Sequence, residues 1–263
     1  MLVLCSLLLA TAPAFSATKL VVTVLDTRAG VVVKDLKAAD FTVTDERTPR
    51  RVDSAEFNES PVDVMMLLDT SLVGHAVQPV AADLIQQLGE KEQMAIVGYH
   101  SSADLVQDFT SSRQLLLRAV SQVRYGNNPN LLDALYAAAD GGFESATLRR
   151  VILLLTAGVE GNSRVSEKEV IRVARKQSIS IFPVYMMGIE RSMFELLARQ
   201  TGGALFSLRD LSRQPKPSPS GRIFDALRSS YTLSLSGNFA LSDKLRIQVN
   251  RPQRLFISAL VLD

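Results

Sequence analysis

The residues best placed to do chemistry stand at the end of an apolar run. In VMMLLDTSLVGH, residues 64–75, a hydrophobic stretch stops at Asp69 and, two positions on, Ser71. A carboxylate and a hydroxyl at the mouth of a strand are the oxygen donors that a hard divalent cation takes. The same pair also suits a plain strand-end turn, in which both side chains bond to local backbone N–H groups, and Val73 favours that second reading. The only two histidines, His75 and His100, lie near the same edge, so a hydrolase using Ser71 with His75 or His100 and Asp69 can be drawn. It lacks a strained Gly-x-Ser-x-Gly turn and an oxyanion loop. A two-histidine metal site lacks a third ligand, and both histidines read as surface or capping residues. The Asp-Gly-Gly at 140–142 follows a helix and reads as its C-terminal stop, not as a phosphate loop.

The elements that must position these residues change character along the chain. KLVVTVLD, GVVVKDL and DFTVTDE near the start, and YTLSLSG, KLRIQVN and RLFISALVL near the end, alternate apolar and polar residues as half-buried strands do. Between them, VDVMMLLD, QMAIVGYH, RVILLLTAG and ISIFPVYMMG, with a weaker ALFSLRD, are nearly continuous apolar runs of the kind found in strands covered on both faces. Val77, Val80, Ala81, Leu84, Ile85 and Leu88 repeat at helical spacing, as do Leu131, Leu135 and Ala138. Ser166 with Glu169 and Ser192 with Glu195 have the spacing of capping boxes. Alternating strands and helices predict an α/β, doubly wound, mainly parallel sheet flanked by helices. SRQPKPSPSG, residues 212–221, reads as a mobile loop ahead of a last helix.

Composition narrows the function. The 263 residues, 47% hydrophobic and 21% charged, suffice for one sizeable core and a smaller satellite. The 29 basic and 27 acidic residues are interspersed and net only +2, without the basic stripe that nucleic-acid binding needs. MLVLCSLLLATAPAFSA, residues 1–17, reads as a signal peptide with small residues for cleavage, although it lacks a positively charged start. It is too short to span a bilayer comfortably, and no membrane span is expected in the mature chain. Cys5, the single cysteine, lies within it, so disulfides, thiol catalysis and cysteine metal sites are excluded from the mature protein. Export without disulfides points to a bacterial secreted, periplasmic or cell-envelope location.

Several pieces together carry a family resemblance. VTVLDTRAGVVVKDLKAADFTVTDE, VMMLLDTS, QMAIVGYHSSADLVQDFTSSRQLLLRAV, LLDALYAAAD, VILLLTAG and LRSSYTLSL occur in this order. In order and spacing the region resembles a von Willebrand factor type A (VWFA) domain, and the mature chain resembles bacterial secreted VWFA-related proteins. The resemblance implies a Rossmann-like domain over residues 61–230. It also implies a small β-sandwich-like unit formed by the N-terminal β segment 18–60 with the C-terminal β segment 231–263.

Many such domains carry a metal-ion-dependent adhesion site where open α/β sheets place ligands, at the carboxyl ends of the strands. The family pattern is Asp-x-Ser-x-Ser, a Thr ahead of the helix resembling LLDAL, and an Asp in a Thr-Asp-Gly turn. Asp69 and Ser71 match the first two ligands, but Val73, Pro129 and Ala157 stand at the other three positions. Mg²⁺ wants about six oxygen ligands, so the resemblance combined with these losses implies a degenerate site and no resident cofactor. Asn130 reads as a helix cap, and Asn127 and Asn128 as turn formers. The expected function is non-catalytic: an adhesion-type module that binds an as yet unidentified protein partner without metal. Its face would be built around Asp69, Ser71, His75, His100, Asn128 and Asn130, with loops near Ala157. The alternative is a structural or assembly component of the envelope with a vestigial site.

Overall fold

A computed structural model describes residues 17–213, 216–237, 241 and 244–262. The proposed signal segment lies outside these residues except for Ala17, as do two positions of the 212–221 loop. The described residues open with β1 (Thr18–Asp26), β2 (Val31–Val32), β3 (Phe41–Asp45), β4 (Thr48–Arg50) and β5 (Val52–Glu59). The central part follows as β6 (Val62–Asp69), α1 (Gln78–Ile85), β7 (Gln93–Tyr99), β8 (Ala103–Thr110), α2 (Arg113–Ser121), α3 (Leu131–Gly141) and β9 (Arg149–Thr156). It continues through α4 (Glu167–Lys176), β10 (Ser180–Tyr185), α5 (Arg191–Thr201), β11 (Phe206–Ser207), α6 (Leu208–Leu211) and α7 (Pro219–Arg228). The chain then returns to strands with β12 (Ser229–Leu235), β13 (Arg246–Val249) and β14 (Leu255–Leu262).

The central sheet has the order β11-β10-β9-β6-β7-β8. All its pairings are parallel except β7 with β8, which is antiparallel and interrupted by register shifts. Helices cover both faces, which explains why β6 and β10 are buried at every position. Along β6, Val64, Met66 and Leu68 pack with α1, α2 and α7, whereas Met65 and Leu67 pack with α3, α4 and α5. Strand alternation thus feeds two cores from one apolar run. β8 was not visible as a strand in the sequence. It is an edge element with no buried residue, so only weak apolar patterning was available to mark it.

The strands from the two chain ends pair directly. β1 lies between β12 and β14, and β5 extends the sheet beyond β12. β13, β3 and β4 form a second, three-stranded sheet, and a third core joins the two sheets around Leu20, Val22, Phe41, Val43, Tyr231 and Leu233. Tyr231 anchors it: the rings of Phe41 and Phe57 pack edge-on against Tyr231, while its hydroxyl donates to Val33 O and accepts from Leu36 N. Buried bonds join this unit to the central domain, with Thr23 Oγ1 donating to Gly202 O at 2.8 Å and Ser258 Oγ to Gly203 O at 2.5 Å. Gly202 sits at φ 73° after α5, where a Cβ would meet Leu260 at 2.9 Å. A glycine there supplies both the left-handed turn and the close approach. Among the described residues, no helix is long and apolar enough to cross a membrane.

Candidate functional site

The C-terminal ends of β6, β7, β9 and β10 bring the sequence-selected residues to one edge of the sheet. Asp69, the last residue of β6, is wholly buried. Its Oδ1 accepts from Ser71 N at 3.0 Å and from Ser71 Oγ at 2.6 Å. Its Oδ2 accepts from Ala157 N at 3.0 Å and from Thr156 Oγ1 at 3.4 Å. Thr156 Oγ1 in turn accepts from Gly158 N at 3.0 Å. The carboxylate therefore ties the turn after β6 to the turn after β9. Ser71 is part of that knot: its hydroxyl donates to Asp69 instead of accepting from backbone, which differs from the turn geometry expected from sequence.

The turn is tight because Gly74 N donates back to Ser71 O at 2.9 Å. A Cβ on Gly74 would lie 2.2 Å from Asp69 O. Below the knot, the Tyr99 hydroxyl is fully buried beside Thr156 without meeting hydrogen-bond geometry. Burial first, and then the negative charge of Asp69, push it well above the ordinary tyrosine range. Tyr125 is shifted in the same direction by the same two causes, burial being the larger.

Neither histidine turns toward Ser71 as a base. His75 is exposed and stacks on Tyr125, with ring centroids 3.5 Å apart and planes at 14°. His100 Nδ1 accepts from Ser101 N at 2.7 Å, and its Nε2 stands 3.9 Å from the Asp104 carboxylate. The His100 ring lies against Gly126, where a Cβ would come within 2.5 Å of Cγ. With the Ser71 hydroxyl given to Asp69, the geometry of a Ser–His–Asp relay is not assembled.

Asn130 does not cap α3 with its side chain, contrary to the sequence expectation. Its Nδ2 donates to Ser101 O at 3.5 Å and its Oδ1 accepts from Asn162 N at 3.2 Å, so it stitches two loops together. The cap comes from the loop after β9. Glu160 Oε2 accepts from Leu131 N and Leu132 N at 3.0 and 3.2 Å, and Ser163 Oγ accepts from Leu132 N and Asp133 N at 3.1 and 3.2 Å. Asp133 returns two bonds by accepting from Arg164 N and Val165 N. A carboxylate at the positive end of a helix is well placed, but at nearly thirty residues' separation no local pattern could have announced it. Asn127 lies in a bend and Asn128 in irregular backbone, both exposed, with Asn128 O accepting from Asn130 N.

Around the knot the surface is apolar. Leu72 and Val73, after β6, are 64% and 45% exposed, and Met187 and Ile189, after β10, are 39% and 66% exposed. Ala157 joins the two groups, because its N–H donates to Asp69 and its carbonyl accepts from Met187 N at 2.9 Å. Gly158, at φ 106°, allows this approach, since a Cβ there would fall 1.9 Å from Met187 O. Asp69 and Ser71, expected on the face, support it from below. Among the described residues, no group of three or more His, Cys, Asp or Glu is gathered as a metal site.

No family model matches the chain. No curated protein matches it either. Solved structures do. Proximal thread matrix protein 1 from the mussel byssus superposes with a TM-score of 0.57 at 16% identity, covering 70% of this chain and 51% of that one. The same mussel protein with a zinc-occupied MIDAS motif gives a TM-score of 0.55 at 15% identity, covering 70% and 50%. This chain thus spans about half the length of the mussel protein. The likeness shows a VWFA-like fold.

Proposed function

We propose that the chain is a non-catalytic, adhesion-type module of the bacterial envelope or exterior that recognises a protein through the loop face above β6, β9 and β10, without a metal ion. The observation that carries this reading is the closure of Asp69: both carboxylate oxygens are occupied by four hydrogen bonds from the protein itself, and none of its surface is exposed. Ser71 donates its proton into the same knot, and Val73, Pro129 and Ala157 bring no side-chain oxygen. These residues do not fit a hard cation that wants about six oxygens. The mussel structure with zinc in its MIDAS motif belongs to the same fold, and here the degenerate site is a structural knot.

What the loops offer instead is hydrocarbon. Leu72, Val73, Met187 and Ile189 stand out from a surface otherwise edged by the polar groups of His75, His100 and Asn128. Exposed apolar side chains rimmed by polar residues mark protein interaction sites. The test is photo-crosslinking in cells with a benzophenone amino acid at Leu72 or Ile189 and, as control, at Glu46 in the β3–β4 turn. The reading predicts a discrete protein adduct from the first two positions, unchanged by a chelator. Adducts from all three positions alike, or adducts lost on chelation, would contradict it.

A further inference from the structure

The fold gathers arginines that the sequence keeps apart. Where α5 packs along β14, two cavities of about 430 and 280 Å³ share Arg199 as a lining residue. The larger is lined by Arg28, Arg191, Arg199, Arg222 and Arg254, against the two carboxylates of Glu195 and Asp210. Both carboxylates are already engaged, Glu195 with Arg199 at 2.8 Å and Asp210 with Arg213 at 3.2 Å. The smaller is lined by Arg175, Arg199 and Arg246, with no acidic residue. Arg191, Arg246 and Arg254 are exposed, and among the described residues none of the three has a carboxylate partner.

The same seam holds an open strand edge. β14 is the last strand of its sheet and pairs with β1 on one side. Arg254 O accepts from Thr27 N on the β1 side, whereas Ile257 O accepts from Arg199 Nη1 at 2.9 Å. Backbone groups alternate in direction along a paired strand, so Leu255, Ile257 and Ala259 turn their N–H and C=O groups away from β1. Arg199, held by Glu195 and stacked 4.4 Å from the centre of the Phe256 ring, answers one of these groups. Among the described residues the others carry no hydrogen bond. The side chains of Leu255, Ile257 and Ala259 are half-buried, as is that of Ile247 on β13 across the smaller cavity.

We propose that this seam binds an acidic polypeptide segment in extended form, laid along the open edge of β14 with its carboxylates toward Arg191, Arg246 and Arg254. Exposed cations without partners suit an anion, and an open strand edge suits a backbone with alternating N–H and C=O groups. An anionic polysaccharide meets the first demand and not the second. A neutral or basic peptide meets the second and not the first. Arg246 and Arg254 are not part of the loop face above β6, β9 and β10, so this proposal and the one for that face stand or fall separately.

Fluorescence anisotropy on the full chain tests this with three labelled octapeptides: one alternating Glu and Val, its counterpart with Lys for Glu, and a Glu–Val form N-methylated at every peptide bond, which has no backbone N–H to donate. The Glu–Val peptide is expected to bind, more weakly as sodium chloride is raised, while the Lys and N-methylated forms do not. Arg246→Glu and Arg254→Glu are each expected to weaken it by about tenfold or more, the loss of a charge-assisted contact. Arg118→Glu, at an exposed position of α2, is expected to leave it unchanged. No binding of the Glu–Val peptide, equal binding of either other peptide, or its displacement by sulfated dextran at equal charge would overturn the proposal. So would unchanged affinity in both variants of the seam, or an equal loss in Arg118→Glu.

Discussion

Asp69 is worth more to stability than to recognition. Removing its carboxylate leaves Ser71 N and Ala157 N buried without acceptors, and each orphaned donor costs about 1–3 kcal/mol. Asp69→Ala is therefore expected to lower unfolding free energy by about 2–4 kcal/mol in urea titration, an effect that added Mg²⁺ does not reproduce or relieve. Glu160→Ala removes the acceptor for two N–H groups at the start of α3 and is expected to cost about 1 kcal/mol. Asn130→Ala, which removes no cap, should cost less. The two substitutions, compared by the same titration, distinguish the cap seen here from the one expected by sequence. The sequence could mark Asp69 and Ser71 because they end an apolar run. It could not mark Glu160, Thr156 or Tyr99, whose roles arise from contacts between distant loops.

At the scale of elements, the strongly apolar strands were legible because burial on both faces leaves no polar positions to blur the pattern. The Ser166–Glu169 capping box formed as its spacing suggested. The Ser192–Glu195 pair did not, because Glu190 takes the N-cap position and α5 begins at Arg191, so Ser192 falls inside the helix. The turn after β6 makes a sharp demand: Gly74→Ala would drive a methyl group against Asp69 O. Overpacking of this kind typically costs 1–3 kcal/mol or more, and circular dichroism melts should show Gly74→Ala markedly less stable than Gly141→Ala, where a Cβ meets nothing. The junction of α7 with the β6–β7 region rests on Arg228 and Glu92, whose charges meet at 2.6 Å. Burial alone would raise Glu92, but the hydrogen bonds and charge of Arg228, with Gly89 N and Val62 N, outweigh it and the group titrates below its ordinary 4.5. Its folded value being depressed, the stabilisation is complete above the unfolded glutamate range and is lost as pH falls through the folded value. Stability should accordingly fall more steeply on acidification from about pH 5 to about pH 3 in the native protein than in Glu92→Gln, as read by urea midpoints.

For the whole molecule, the chain ends are as important as the middle. β1 is flanked by β12 and β14, which come from the far end of the sequence, and Thr23, Ser258 and Arg199 bond across to the central domain or from it. A unit closed in this way is expected to unfold in one calorimetric transition, with equal van't Hoff and calorimetric enthalpies. Two separated transitions would show that the sandwich and the central domain stand independently. The alternating patterns at both ends announced strands, but which strand pairs with which is fixed by long-range packing and not by local alternation.

Asp69, at the end of β6 in a VWFA-like fold, is closed into a hydrogen-bond knot, and the proposal is that this knot leaves no place for a metal ion. Isothermal titration of Mg²⁺ and Mn²⁺ into the full chain addresses it directly. The closed carboxylate of Asp69 predicts no binding tighter than about millimolar, because a cation would have to displace four internal hydrogen bonds to reach it. A micromolar isotherm that disappears in Asp69→Asn would contradict the claim.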